Sequence, residues 1–251
     1  MNKIAIITGA SRGIGRSAAL HLAQRNIDII FTYQSQADAA KSLIEEVSAL
    51  GQKAIALQHD VRNIACTALL IDEIRQTLAT EFHRDSFDYL LNNAGTGLNS
   101  AIESTSEEEF DDMFAIHVKG PFFLTQALFP LISADGHVVN ISTGLTRFSF
   151  PGYAAYAMAK GAVEAMTRYM AKEFASKRVR VNTLAPGAIA TDFRDGSNRN
   201  SSEARSMIAN ITAFQRVGEP EDIGKAIAAL FSDDFGWITG QRIEASGGML
   251  L

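Results

Sequence analysis

The chain has 251 residues, of which 47% are apolar and 20% charged, and its 23 basic and 28 acidic residues give a net charge of −5. This length allows one large domain or two small ones, and the high apolar fraction excludes a largely disordered chain. The acidic balance argues against a nucleic-acid-binding protein, which normally carries a basic stripe.

The composition also bears on the cellular compartment. The single cysteine, Cys66, allows no internal disulfide and fits a reducing environment. No stretch approaches the roughly 18 consecutive apolar residues of a membrane span, and Gly9 and Arg12 interrupt the first apolar run too early for a signal peptide. We therefore expect a cytoplasmic protein of one domain, residues 1–251, with neither a membrane nor a nucleic acid among its partners.

Short apolar runs alternate along the chain with longer amphipathic stretches. This alternation implies βαβ units, and hence an α/β fold with a doubly wound parallel sheet and helices on both faces. In chain order, the predicted elements are a strand over residues 3–8, a helix over 13–24, a strand over 28–33, a helix over 37–50, a strand over 53–58, a helix over 64–82, a strand over 88–92, a helix over 107–132 with a break at Gly120-Pro121, a strand over 137–142, a helix over 153–176, a strand over 179–185, a helix over 219–232 and a strand over 241–245.

The polar stretch 187–212 interrupts this alternation. A long segment of this kind inside a compact domain is often a mobile lid or a binding loop. We therefore predict a substrate loop at about residues 187–212, with a plain exposed insertion as the alternative.

Three glycines, Gly9, Gly13 and Gly15, lie at the junction of the first predicted strand and helix. Glycine permits a sharp turn and a close approach of phosphate to the backbone. The helix that follows offers free N–H groups and the positive end of its dipole. The spacing is G-x-x-x-G-x-G, which differs from the common G-x-G-x-x-G pattern. We interpret the segment as a pyrophosphate-binding turn rather than a merely structural one.

The charges near this turn indicate which dinucleotide it binds. A site for NAD usually has an acidic residue about 20 residues after the turn, where it bonds the ribose 2′-hydroxyl. Here the second predicted strand ends in Tyr33 and Gln34, whereas Asp28 and Asp38 lie at its far end and in the next helix. Arg12 offers a planar fork for a 2′-phosphate. The sequence therefore predicts NADP(H), with a solvated surface role for Arg12 as the alternative.

Tyr156 and Lys160 are spaced i, i+4 on one face of a predicted helix. A free phenol, with a pKa near 10, is a poor acid–base group at pH 7, and a neighbouring cation lowers that pKa. Ligands of open α/β sheets bind outside the carboxyl ends of the strands. The candidate motifs at these ends are Gly9–Gly15, Asn92-Asn93-Ala94-Gly95, Ser142-Thr143 and Pro186-Gly187.

In their order and spacing, these motifs and the pair Tyr156/Lys160 resemble the short-chain dehydrogenase/reductase family over nearly the whole chain, including its 3-oxoacyl-carrier-protein reductases. The resemblance implies a Rossmann-type fold, a homotetramer, and hydride transfer between a nicotinamide and a carbonyl or alcohol. Tyr156 would be the acid–base group, and Lys160 would lower its pKa and hold the ribose. The cofactor-binding positions it implies are Gly9, Ser11, Arg12, Gly13, Ile14, Gly15, Tyr33, Asp60, Val61, Asn92, Ala94, Gly95, Pro186, Gly187, Ile189 and Thr191.

The sequence departs from the family pattern at two positions. In the family, a Ser usually polarises the substrate carbonyl. Counting back from Tyr156 without a gap places Thr143 at this position, and we favour its hydroxyl over that of the neighbouring Ser142. His117 stands where the family often has an Asn that supports a water-linked proton relay. Either His117 serves this relay and adds a pH dependence, or it is a packing residue that leaves the relay altered.

The function predicted from the sequence is NADPH-dependent reduction of a ketone or 3-oxoacyl-type carbonyl, or the reverse oxidation. Phe148, Phe150 and Phe193 either flank the cleft and favour an apolar substrate or belong to the core. The alternative from another class is an NADP(H)-binding sensor with little turnover, and enoyl reduction ranks third because that branch spaces its Tyr and Lys more widely. The histidines show no metal-ligand spacing, so no metal site is predicted.

Overall fold

Seven parallel strands form one sheet in the computed structural model, which describes residues 2–251 except for the side chains of Arg194 and Asp195. The sheet order is β3-β2-β1-β4-β5-β6-β7. The chain reverses its direction of winding between β1 and β4, and this switch point opens a crevice at the carboxyl ends of the strands. The strands are β1 (Lys3–Ile7), β2 (Ile27–Tyr33), β3 (Ala54–Gln58), β4 (Phe87–Asn92), β5 (Ile132–Ile141), β6 (Arg180–Pro186) and β7 (Arg242–Ala245).

Helices cover both faces of the sheet, as the alternation of elements predicted. The strands alternate side chains between two buried clusters, so that Ala5 and Ile7 face one layer while Ile4 and Ile6 face the other. Helices α1, α2 and α9 pack on the first face and α3, α5 and α6 on the second. The helices are α1 (Gly13–Ala23), α2 (Ala37–Ala49), α3 (Thr67–Glu81), α4 (Glu107–Phe114), α5 (Gly120–Leu128), α6 (Ala154–Glu173), α7 (Ser197–Asn200), α8 (Ser202–Asn210) and α9 (Pro220–Leu230).

The predicted helix over 107–132 was wrong in two respects. The chain does not break at Gly120-Pro121 but passes from α4 into α5 through a π-helical turn, Ala115–Lys119. Pro121, which has no N–H to donate, is the second residue of α5 and directly follows this irregular turn. The helix also ends earlier than predicted, since β5 already begins at Ile132 rather than at residue 137.

The stretch 187–212 is more ordered than a plain loop. It contains the short helices α7 and α8, and the hydroxyl of Ser201 caps α8 by accepting a hydrogen bond from the N–H of Ala204 at 3.1 Å. Across the described part of the chain, no helix combines the length and apolar character required to cross a bilayer.

Candidate active site

A cleft of about 910 Å³ runs along the carboxyl edge of the sheet. It begins at Arg12 beside the glycine-rich turn and ends among the aromatic side chains near Tyr156. Most of the residues predicted to bind a cofactor line this cleft. They are Gly9, Ser11, Arg12, Gly13, Ile14, Tyr33, Asp60, Val61, Ala94, Gly95, Pro186, Gly187, Ile189 and Thr191.

The glycine-rich turn is shaped by close backbone contacts. Gly9 has φ +66°, and a side chain there would place its Cβ 2.8 Å from the Cα of Ala94. Asn93 secures the turn because its side-chain amide donates to the carbonyls of Thr8 and Gly9, each at 2.9 Å. Gly15 does not line the cleft but packs against this same amide, 2.6 Å from an added Cβ. The turn therefore presents bare backbone to the cleft.

The region of the cleft beyond this turn carries a positive charge and no unpaired carboxylate among the described side chains. Arg12 is exposed, and no ion pair is found for it within this part of the chain. Asp60 lines the cleft, but its carboxylate accepts from Arg62 at 2.8 Å and from Gln34 at 3.0 Å. The hydrogen bond from Arg62 is the main reason why the pKa of Asp60 falls to about 2. Arg62 also lines the cleft, and sequence reasoning did not identify it.

Asn92 does not line the cleft, contrary to its predicted place in the cofactor site. Its side-chain amide donates to Thr125 at 2.9 Å and to Asn140 at 2.8 Å, inside the protein. The chain of bonds continues from Asn140 to Thr167 at 2.8 Å, so that it crosslinks β4, β5 and α6. The reason is the alternation of side chains along a strand, which turns the next residue, Asn93, toward the cleft instead.

Tyr156 and Lys160 lie on the cleft-facing side of α6, and both are buried. The phenol of Tyr156 lies near the hydroxyl of Thr143, which directly follows β5 and Ser142, and both residues line the cleft. The ammonium of Lys160 donates to the carbonyl of Ile141 at 2.8 Å. The structure therefore brings Tyr156, Lys160 and Thr143 together, as the spacing predicted.

Burial dominates the electrostatics of this group. It raises the pKa of Tyr156 above its usual value, and the hydrogen bond from Thr143 offsets only part of this increase. Burial also lowers the pKa of Lys160 to about 7. The expected lowering of the phenol pKa by Lys160 is not found, and burial keeps Tyr156 protonated, which is the form that an acid must have.

The two adjacent hydroxyls near Tyr156 have different partners. Ser142 also lines the cleft, but it is buried and its hydroxyl donates to the carboxylate of Glu164 at 2.7 Å. Thr143 has its hydroxyl against Tyr156 and also accepts from the N–H of Leu145 at 3.3 Å. This geometry favours Thr143 over Ser142 as the hydroxyl that can reach a substrate.

His117 lies in the π-helical turn and faces the same group. Its Nε2 donates to the carbonyl of Thr96 at 2.7 Å, and its ring meets the ring of Tyr156 edge-on at 5.3 Å between centroids. The buried Nδ1 has no hydrogen-bond partner among the described residues. Burial, with the charge of Lys160 as a second cause, lowers the pKa of His117 well below its usual value. A neutral ring disfavours the predicted pH dependence but leaves Nδ1 free to accept a hydrogen bond.

Beyond Tyr156 the cleft has apolar walls. Phe148, Phe150 and Phe193 all line it, so they are not core residues. The segment 187–212 contributes further wall residues, including Met207, which the sequence gave no reason to select. No group of three potential metal ligands is present within the described residues.

Comparisons with known proteins identify the family to which this chain is similar. The model of a family described as enoyl-(acyl carrier protein) reductase matches residues 9–250. A 3-oxoacyl-[acyl-carrier-protein] reductase of Staphylococcus epidermidis is 34% identical over 100% of both chains, and a probable tetrahydroxynaphthalene reductase of Zymoseptoria tritici is 32% identical over 98% of this chain and 93% of its own. The solved structure of the angucycline C-6 ketoreductase LanV with bound NADP has a TM-score of 0.93 and 34% identity, covering 99% of this chain and 95% of its own.

Further relatives of similar extent carry the name short chain dehydrogenase. The chain belongs to the short-chain dehydrogenase/reductase family and is an oxidoreductase with a Rossmann-type fold. The resemblance predicted from the motifs is thereby confirmed.

Proposed function

We propose that this protein is an NADPH-dependent ketoreductase. The observation that carries the proposal is the grouping of Tyr156 and Thr143 on one wall of the cleft, where the Thr143 hydroxyl is near enough to act on the pKa of the phenol, with Lys160 one helical turn away. Two hydroxyls on one wall of the cleft can both donate to one carbonyl oxygen. This arrangement supports the reduction of a carbonyl rather than a sensor role, because binding alone would not require it.

The residues of the cleft fit NADP(H). The turn at Gly9 exposes backbone to a pyrophosphate, and Arg12 offers its guanidinium to a 2′-phosphate. Tyr33 and Gln34, at the end of β2, line the same region, and the nearby carboxylate of Asp60 is paired with the guanidinium of Arg62. Thr191, which by resemblance to the family would hold the nicotinamide carboxamide, also lines the cleft, beside Gly13.

When bound, NADPH supplies a hydride to the carbonyl carbon. Tyr156 then donates its phenolic proton to the carbonyl oxygen, while Thr143 donates a hydrogen bond that stabilises the developing negative charge. Lys160 holds positive charge beside the phenol and favours the phenolate that remains after the proton leaves. Lys160 would then return a proton to the phenolate and regain one from solvent, through a water whose other hydrogen bond Nδ1 of His117 would accept.

The substrate is proposed to be a ketone with an apolar, ring-containing body. Phe148 and Phe150 pack edge-on at 5.4 Å between centroids, and Phe193 lies 6.1 Å from the ring of Tyr156. Such aromatic walls favour flat, apolar ligands through stacking and edge contacts. A 3-oxoacyl thioester is the second candidate, since the S. epidermidis relative is named for that activity.

The test is the oxidation of NADPH with three substrates in parallel: a fused-ring aromatic ketone, a 3-oxoacyl thioester and a short aliphatic ketone. Tyr156→Phe is the control, because it keeps the ring and removes only the proton donor. Turnover that this variant loses would support ketoreduction, and the better substrate would decide between the two classes. Tight NADPH binding without turnover on any substrate would instead favour the sensor.

A homotetramer in the cytoplasm also belongs to this proposal. Helices α5 and α6 expose apolar side chains, namely Phe122, Phe123, Met158 and Tyr169, which subunit contacts would bury. Light scattering at micromolar concentration tests the oligomer, and a monomer would contradict it.

A further inference from the structure

Four charged side chains form a cluster behind the segment that carries Thr143. Arg242 forms ion pairs with Glu164 and with Glu244, each at an N–O distance of 2.9 Å. Glu244 also pairs with Arg147 at 2.8 Å. The cluster joins α6 to β7. Glu164 is the most buried member, with 14% of its side chain exposed, and removing such an ion from water is costly unless it is well bonded.

Glu164 occupies a specific place on α6. It follows Lys160 by four residues and Tyr156 by eight, so these three side chains lie on successive turns of one helix face. Lys160 and Glu164 are hydrogen-bonded to the last residue of β5 and to the residue after it, and Tyr156 lies near Thr143, the next residue along. Three successive turns of α6 therefore contact this segment. The proposed mechanism uses Tyr156 and Lys160 but gives no role to Glu164.

One oxygen of Glu164 collects three hydrogen bonds. Oε1 accepts from the hydroxyl of Ser142 at 2.7 Å, from the hydroxyl of Thr146 at 2.8 Å and from Nε of Arg242 at 2.9 Å. Two of these donors flank Thr143 in the chain. The carboxylate thus holds the segment from both sides of the residue whose hydroxyl meets the phenol.

Arg242 completes the clamp through the backbone of Thr143. Its Nη2 donates to the carbonyl of Thr143 at 3.1 Å, and the hydroxyl of Thr146 shares its single proton between this carbonyl, at 3.0 Å, and Glu164. The carbonyl of Thr143 is therefore fixed toward β7 while its hydroxyl is directed to Tyr156. Rotation of this residue would break both contacts together.

We propose that Glu164 and Arg242 are positioning residues, which clamp the backbone of Thr143 so that its hydroxyl stays against Tyr156. This inference rests on the proposed function, since it assumes that the two hydroxyls act on one carbonyl. Arginine is required because its planar fork reaches Glu164, Glu244 and the carbonyl of Thr143 at the same time. A lysine ammonium cannot make these three contacts at once.

The experiment is a double-mutant cycle of Arg242→Gln and Thr143→Val, read as kcat for ketone reduction. Misplacing a reacting group by about 1 Å costs roughly 100-fold, so we expect Arg242→Gln to lower kcat about 10- to 100-fold with the NADPH Kd unchanged. The double variant should be no slower than Thr143→Val alone, because the clamp acts through that hydroxyl. Arg242→Lys should recover only part of the loss.

Arg178→Gln is the matched control, because it removes an exposed ion pair with Asp135 at the opposite end of the sheet. It should leave kcat unchanged. Additive effects in the cycle, or full recovery by Arg242→Lys, would overturn the clamp.

Hydrogen exchange of the amides in residues 142–148 provides a readout that needs no turnover. Faster exchange in Arg242→Gln than in Arg178→Gln is expected, and equal exchange would overturn the proposal. If the wild-type protein reduced no ketone, the proposed function would fail, while this exchange measurement would still decide whether the clamp exists.

Discussion

Removing each of the two adjacent hydroxyls, Ser142 and Thr143, should separate stability from catalysis. Ser142→Ala removes a buried hydrogen bond to the charged carboxylate of Glu164. Thr143→Val keeps the shape of its side chain and removes the hydroxyl that meets Tyr156. The first change should therefore affect mainly folding, and the second mainly the reaction.

The structure sets the expected magnitudes. A hydrogen bond to a charged group contributes about 1.5–3 kcal/mol, which at about 2–4 °C per kcal/mol lowers the Tm of Ser142→Ala by about 3–12 °C. Its kcat should fall less than about 5-fold, since Arg242 still holds the backbone of Thr143. Loss of one preorganised donor to a developing oxyanion costs about 100- to 1000-fold in kcat, which is the loss expected for Thr143→Val.

Thermal unfolding and steady-state reduction of one ketone, measured on both variants, provide the assay. Because neutral hydrogen bonds contribute about 1 kcal/mol, Thr143→Val should lose only about 2–4 °C in Tm. The reasoning would be refuted if Ser142→Ala lost the activity and Thr143→Val kept it.

Three further predictions concern the cofactor and the pH profile. Arg12→Gln should reduce the preference for NADPH over NADH, measured as the ratio of kcat/KM values, by about 10-fold or more, since a charge-assisted bond contributes about 1.5–3 kcal/mol; an unchanged ratio would mean that Arg12 is a surface charge. His117→Asn should leave the shape of the pH–rate profile between pH 6 and 8 unchanged, because the pKa of His117 lies well below that range; an acid limb present only in the wild type would contradict this. Gly9→Ala should weaken NADPH binding and destabilise the fold by more than Gly51→Ala, because both glycines have positive φ but only Gly9 has a backbone carbon within 2.8 Å of an added Cβ; equal losses would refute the contact argument.

The order of strands and helices was predictable because fully buried parallel strands appear in the sequence as short apolar runs. The start of β5 could not be predicted in this way, since Ser133, Asp135 and Gly136 are residue types that are common in turns. Those residues nevertheless belong to the strand, whose pairing with β4 shifts register between Phe87 and Tyr89. Irregular pairing of this kind depends on the neighbouring strand and leaves no periodic signal.

In the site, the residues on one helix were the easiest to predict, because a spacing of four residues fixes a shared face. Asn92 was misplaced since the choice between it and Asn93 depends on where β4 ends, and a shift of one residue reverses the face. Glu164 continues the spacing of Tyr156 and Lys160, so this signal was present in the sequence. Arg242 lies far away along the chain, and only the sheet brings it to that carboxylate.

The π-helical turn Ala115–Lys119 amounts to one extra residue within an otherwise continuous helix. An α-helix advances about 100° per residue, so the insertion changes the rotational phase between α4 and α5. Met113 on one side and Leu124 on the other can then each reach their own core cluster, while His117 faces the cleft. Deleting one residue from the turn would restore regular α-helical hydrogen bonding. It would also rotate α4 relative to α5, so that one of the two helices would turn its apolar side chains away from their core cluster. The irregularity thus lets a single helix serve the core and the active site at different angles.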